Sequence, residues 1–262
     1  MKRRWIPVFL LVGLAVPLLA YVGCSRGVDL RTAAELAKAQ EAFDSASRPE
    51  DFLKVAAMYA AVRERGVVSG AAFYNEGNAL MRAGQRGRAI AAYRQAIRYR
   101  PSDPCLKANL DYALGSGADS AVRRPLLGYL FFWRDWVGYP AKFLMAAAAA
   151  LATFVWGVAA LFRRRRLFAR LAIAGVVITM LLSFAAGYDW YRFDYQKHGV
   201  LVQAETVARK GNAPSYQPAF TNPLVEGTEF TVVDRRGNWL LIRLPGDGAH
   251  EGWIESRSAV VY

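Results

Sequence analysis

Histidine and cysteine, versatile as nucleophiles, proton shuttles and metal ligands, are scarce in this sequence. It has two histidines, His198 and His250, and two cysteines, Cys24 and Cys105. A zinc site needs several His, Cys or carboxylate ligands at short spacings, and neither histidine stands in such a set. Thiol catalysis needs a base beside the sulfur, yet Cys105 follows Pro104 and is separated from both histidines by two long apolar runs. Phosphate-cradling glycine loops join a strand to a helix, whereas Gly84-Gln85-Arg86-Gly87 lies between two helical patterns. Asp135, between Arg134 and Trp136, reads as an interfacial turn. Two cysteines in segments of different character make no disulfide framework. No catalytic residue, cofactor or metal is therefore expected, which points to a protein that is not an enzyme and works by holding partners.

Charge and apolarity mark the elements that would do the holding. The net charge is +13 over 262 residues, and Lys2, Arg3, Arg4, Arg163, Arg164, Arg165, Arg166 and Arg170 all sit beside apolar runs. Charge placed this way sets membrane topology, and without a basic stripe interleaved with aromatics no nucleic-acid partner is expected. Residues 1–24 read as a signal peptide or signal anchor, with a charged start and an apolar run from Trp5 to Gly23. Tyr21-Val22-Gly23-Cys24 has the form of a lipobox except for Tyr21 in place of the usual Leu. Cys24 is thus either a lipidation site or an ordinary cysteine ending an uncleaved anchor.

Residues 143–162 form an uninterrupted apolar run, long enough at about 1.5 Å per residue to cross a hydrocarbon core of about 30 Å. A second run covers 171–187 and extends through Leu167, Phe168 and Ala169, with Arg170 able to snorkel to the interface. Between them, the 163–170 loop carries four consecutive arginines, which places it in the cytoplasm and both outer ends of the hairpin outside. Trp133, Trp136 and Tyr139 precede the first span and Tyr188, Trp190 and Tyr191 follow the second, as aromatic belts at one interface would. The expected location is a bacterial inner membrane, with 116–142 as an interfacial linker and the flanking domains in the periplasm. Neither run contains Asp, Glu or His, so the hairpin reads as an anchor and not as a proton path. The competing reading, a buried helical pair in a soluble core, would not tolerate an arginine tetrad at its turn.

Residues 29–115 are expected to be all-α. Within them Phe73, Gly77, Leu80, Gly84, Ala89, Tyr93, Ala96 and Pro101 fall at the signature positions of a tetratricopeptide repeat over 70–103. The small residues stand where antiparallel helices approach, Tyr93 fills the space between them, and Pro101 ends the second helix. One repeat cannot bury its own apolar face, so neighbours are required. Thirty-four residues earlier Tyr59 matches Tyr93, but Phe43 occupies the Gly position, so that repeat is degenerate. Thirty-four residues later Asn109 and Leu114 match Asn75 and Leu80, predicting a capping helix over 104–114. In such arrays the first helix of each repeat lines a concave groove. Tyr74, Asn78 and Met81 are the candidate groove residues, with Asn75 and Asn109 at its margin; the alternative is that the asparagines bond to loop backbone and cap helices.

From 198 to 262 the pattern changes to short β-rich runs, 199–203, 206–209, 229–234, 239–244, 252–254 and 259–262, which predict a small all-β barrel. Hairpin connections are expected at 234–238 and at Gly246-Asp247-Gly248. Gly227, Trp239 with Ile242, and Gly252-Trp253-Ile254 resemble the bacterial SH3 family, with the insertion 210–224 in the place of its first long loop. The resemblance implies peptide or cell-wall contact through Tyr216, Phe220, Trp239 and Trp253, although core packing competes for Trp253.

The whole arrangement is that of a multidomain membrane protein: export signal, tetratricopeptide helices, two-helix transmembrane hairpin and SH3-like barrel. It is similar to the BatE-like proteins of bacterial aerotolerance operons, most closely in YNEGNALMRAG, in NLDYAL and in EGTEFTVVDRRGNWLLIRL followed by EGWI. The resemblance implies an envelope scaffold, working with von Willebrand factor A-domain membrane proteins and indirectly with a MoxR-type AAA ATPase in oxygen-stress tolerance. The alternative function is a peptidoglycan-binding module acting through the barrel alone.

Overall fold

The computed structural model describes residues 30–67, 69–115, 137–163, 166–246 and 250–262. The signal region with Cys24, residues 116–136 of the linker, Arg164, Arg165 and Asp247-Gly248 lie outside these. The described chain divides into two units, one of residues 137–191 and one of residues 30–115 with 192–262.

In the second unit five helices follow one another: α1 (Leu30–Ser45), α2 (Pro49–Glu64), α3 (Gly70–Arg82), α4 (Arg86–Tyr99) and α5 (Pro104–Leu114). Their ends are written locally. Pro49 opens α2 with Glu50 and Asp51 in its first turn, where negative charge favours the helix dipole. Ser69 caps α3 by accepting from the Ala72 amide at 3.4 Å. Asp103 caps α5 by accepting from the Cys105 and Leu106 amides at 3.0 and 3.2 Å. Gly115 ends α5 in the left-handed conformation, φ 66°. The helices share one core in which Tyr59, Ala89, Ile90, Tyr93, Ala96 and Leu106 are essentially inaccessible.

The C-terminal segment adds β1 (His198–Leu201), β2 (Glu205–Thr206), β3 (Leu224–Val225), β4 (Glu229–Arg236), β5 (Trp239–Arg243), β6 (Glu251–Glu255) and β7 (Ala259–Val261). Five strands form an antiparallel sheet in the order β6-β5-β4-β1-β7, and β2 pairs only with β3. Leu201, Phe230, Leu240, Ile242 and Ile254 build its core. The expected barrel is not closed: edge strands β6 and β7 do not pair with each other. Instead β1 and β7 pack on α4, and Val200 is buried within the helical core.

Two other expectations shift. Strand β4 continues to Arg236, opposite Trp239, so the connection is only Gly237-Asn238, with Gly237 at φ 56° as a two-residue hairpin requires. The run expected as a strand over 206–209 shortens. Arg209 makes single bridges to Pro218 and Trp253, and Pro218 has no N–H to extend a ladder.

The first unit is a pair of packed helices, α6 (Tyr139–Arg163) and α7 (Arg166–Trp190). Each exceeds its apolar run at both ends, and Arg163 and Arg166 through Arg170 are helical, so the basic connection is shorter than 163–170. Continuing the helix lets these backbone groups bond within it. Both helices are long and apolar enough to cross a membrane, and their most apolar windows are 6% and 0% buried. A soluble core helix would be covered. Thr153 Oγ1 lies 3.2 Å from Thr179 Oγ1 across the pair.

Candidate partner-binding surfaces

Tyr74 and Asn78, two of the expected groove residues, stand on α3, which α4 approaches closely. A Cβ on Gly77 would lie 2.4 Å from the Tyr93 ring, so glycine is needed for the ring to fill that space. Burial raises the Tyr93 phenol pKa and keeps the hydroxyl a neutral donor, which it directs to Asn78 Oδ1 at 2.9 Å. Asn109 Nδ2 donates to the same oxygen at 2.9 Å and to the Tyr74 hydroxyl at 3.1 Å. Arg100 lies 5.7 Å over the Tyr74 ring and pairs with Asp103 at 2.5 Å. Tyr74, Asn78 and Asn109 therefore meet in one half-buried network.

That network occupies Asn78 Oδ1 and both hydrogens of Asn109 Nδ2. Asn75 turns elsewhere: its Nδ2 donates to Gln40 Oε1 at 3.2 Å and to the Tyr59 hydroxyl at 3.3 Å, tying α3 to α1 and α2. Met81 packs half-buried against the helical core. Glu76, also on α3, is buried. Burial raises its carboxyl pKa and Arg63, at 3.4 Å, works against that shift.

On the sheet, Trp239 and Trp253 share one face, because Trp239 pairs with Glu255 and Leu241 with Trp253. Leu240, Ile242 and Ile254 occupy the other, core face. Trp253 is 8% exposed and is covered by the Arg236 guanidinium, 5.3 Å from its ring. Phe220 belongs to the core face, packing beside Ala208, Ala219 and Gly252. Tyr216 is 49% exposed, at the end of a loop closed by the bond from Lys210 N to Gln217 O at 2.9 Å. The two tryptophans are thus brought together, while Phe220 faces away from them.

Sequence reasoning missed the buried ion pair of Lys142 and Asp189, near the outer ends of α6 and α7. Both lie just outside the apolar runs that define the spans. The available signal was one cation and one anion at matched distances from the arginine turn. Among the described residues no group of three or more His, Cys, Asp or Glu is placed to hold a metal ion, and Cys105 is exposed.

Comparison with curated proteins and with solved structures gives no match. Residues 70–103, which are α3, α4 and the turn after them, match the family model of the tetratricopeptide repeat, a protein-interaction module.

Proposed function

We propose that this chain is a non-enzymatic scaffold of a bacterial envelope complex, anchored in the inner membrane by the α6–α7 hairpin and binding protein segments through its tetratricopeptide groove. The observation that carries the reading is the repeat itself, with Tyr74, Asn78 and Asn109 gathered in one half-buried network. The anchor is supported by the nearly uncovered apolar faces of α6 and α7. Residues 30–115 and 192–262 pack as one unit although the hairpin separates them in sequence, which supports both of its outer ends lying on one side. The arginines at the turn support that side being the periplasm.

The likeness to BatE-like proteins supplies the partners: von Willebrand factor A-domain membrane proteins, and through them a MoxR-type ATPase, in tolerance of oxygen stress. On this reading the C-terminal sheet is an SH3-like domain, and 1–24 with Cys24 is its export signal. A second reading, peptidoglycan binding by the sheet, is favoured by Tyr216 standing half-exposed on a closed loop, its carbonyl held by Arg209, the residue bridged to Trp253.

The test is co-purification from detergent-solubilised membranes of tagged wild type beside a variant carrying Tyr74→Ala, Asn78→Ala and Met81→Ala. Loss of an A-domain protein from the variant alone supports the scaffold. No A-domain protein with either chain, together with retention of wild type on purified peptidoglycan, replaces it with the wall-binding reading.

A further inference from the structure

Gly87, Ile90, Arg94 and Arg98 recur at spacings of three and four along α4 and so form one stripe. Every contact of that stripe described next comes from residues beyond the hairpin. At its N-terminal end the Gly87 amide donates to Glu226 Oε1 at 2.7 Å, placing a carboxylate where the helix dipole favours it. A Cβ on Gly87 would lie 2.2 Å from the Leu201 carbonyl oxygen and 3.0 Å from Val202 Cα, both backbone atoms that cannot swing away. One turn on, Ile90 is fully buried and its Cδ1 reaches the turn at Gly227. Arg94 Nε and Nη2 each donate at 2.6 Å to a different oxygen of Glu229, a two-point geometry stronger and more directional than a single bond. The Tyr262 hydroxyl donates to Glu229 at 3.4 Å. At the C-terminal end Arg98 pairs with Asp194 and lies 5.4 Å over the Phe193 ring.

The turn that supplies the anions is preorganised. Glu226-Gly227-Thr228-Glu229 is held by the Gly227 amide on Leu201 O at 2.9 Å and the Thr228 hydroxyl on Val225 O at 2.7 Å. Two carboxylates three residues apart thus meet a helix N-terminus and an arginine on a single helix face.

We propose that residues 192–262 are a built-in ligand of the repeat's second helix, latched through Glu226 on Gly87 and Glu229 on Arg94. The latch makes the helical array and the sheet one rigid body. It withdraws the outer face of α4 from external partners and leaves the Tyr74–Asn78–Asn109 side as the face open to them. The groove and the tryptophan face of the sheet are then held at a fixed separation and do not move as two tethered modules.

Hydrogen exchange on the full chain in detergent tests this, comparing wild type with Gly87→Ala, Arg94→Glu and the double exchange Arg94→Glu with Glu229→Arg. Alanine is the better helix former, so Gly87→Ala should preserve or raise protection within α3 and α4. It should at the same time speed exchange at 199–202, 226–229 and 259–261 by about ten-fold or more through local opening. Arg94→Glu should do the same, and the double exchange should restore protection. Unchanged exchange at those segments in both single variants overturns the latch. So does loss spread evenly through α3 and α4, which would mean that the contact is only part of one undivided core.

Discussion

Replacing Gly77 by alanine separates two effects of opposite sign. In an accommodating helix the change should stabilise by about 0.8–1.0 kcal/mol, the difference in helix propensity. Here the new methyl would meet Tyr93 Cε1 at 2.4 Å, Cδ1 at 2.6 Å and Cζ at 3.1 Å. The ring has little room to retreat: it is 1% exposed, its hydroxyl is held by Asn78 at 2.9 Å, and the Tyr74 ring lies 6.1 Å away. Overpacking of this kind costs about 1–3 kcal/mol. After the helix gain is subtracted, a net loss of up to about 2 kcal/mol is expected. Pulse proteolysis of the helical region across a urea gradient reads this as a lower midpoint, by up to about 1 M for a slope of about 2 kcal/mol per molar. Adding Tyr93→Leu, which shortens the obstructing side chain, should make the alanine at 77 less unfavourable than it is beside tyrosine. A midpoint that rises in Gly77→Ala alone would refute the close packing of α3 on α4.

Lys142→Ala leaves Asp189 buried without its partner and should destabilise the α6–α7 unit by about 3–5 kcal/mol, whereas Lys142→Ala with Asp189→Ala should recover most of that loss. Thermal aggregation in detergent distinguishes the two, and equal damage from both variants would argue against a coupled pair. Asp103→Ala removes the cap of α5 and should lower stability by about 0.5–2 kcal/mol, visible as faster amide exchange at Cys105 and Leu106. Burial, with Arg192 adding to it, lowers the His198 pKa from its ordinary 6.5, while Glu229 opposes the shift. The unfolded chain then binds more protons between the lowered value and 6.5, so stability of the sheet should be flat above that pH and fall as the medium is acidified. Urea midpoints from neutral to mildly acidic pH measure this, and His198→Gln should flatten the fall.

Local signals carried much of this protein. The spacing of signature residues from Phe73 to Pro101 within the 34-residue unit 70–103 specified α3 and α4, because small residues at Gly77 and Ala89 and a tyrosine at 93 are what two close antiparallel helices demand. The apolar runs and the arginines between them marked α6 and α7, since two such runs of about twenty residues are what helices long enough to cross a membrane require. Alternation and turn residues outlined most of β1, β4, β5, β6 and β7, because inward positions along a strand recur every second residue. The open sheet, the latch on α4 and the partners of the groove asparagines were not legible in this way. Each depends on contacts between residues far apart in sequence: β1 and β7 with α4, Gly87 with Glu226, Arg94 with Glu229, Asn109 with Asn78 and Asn75 with Gln40. Glu226 reads locally as a turn residue and Gly87 as a helix start. Only the packing of β1 and β7 on α4, which brings the Leu201 carbonyl against Gly87, decides that no side chain fits there and that a carboxylate finds the helix end.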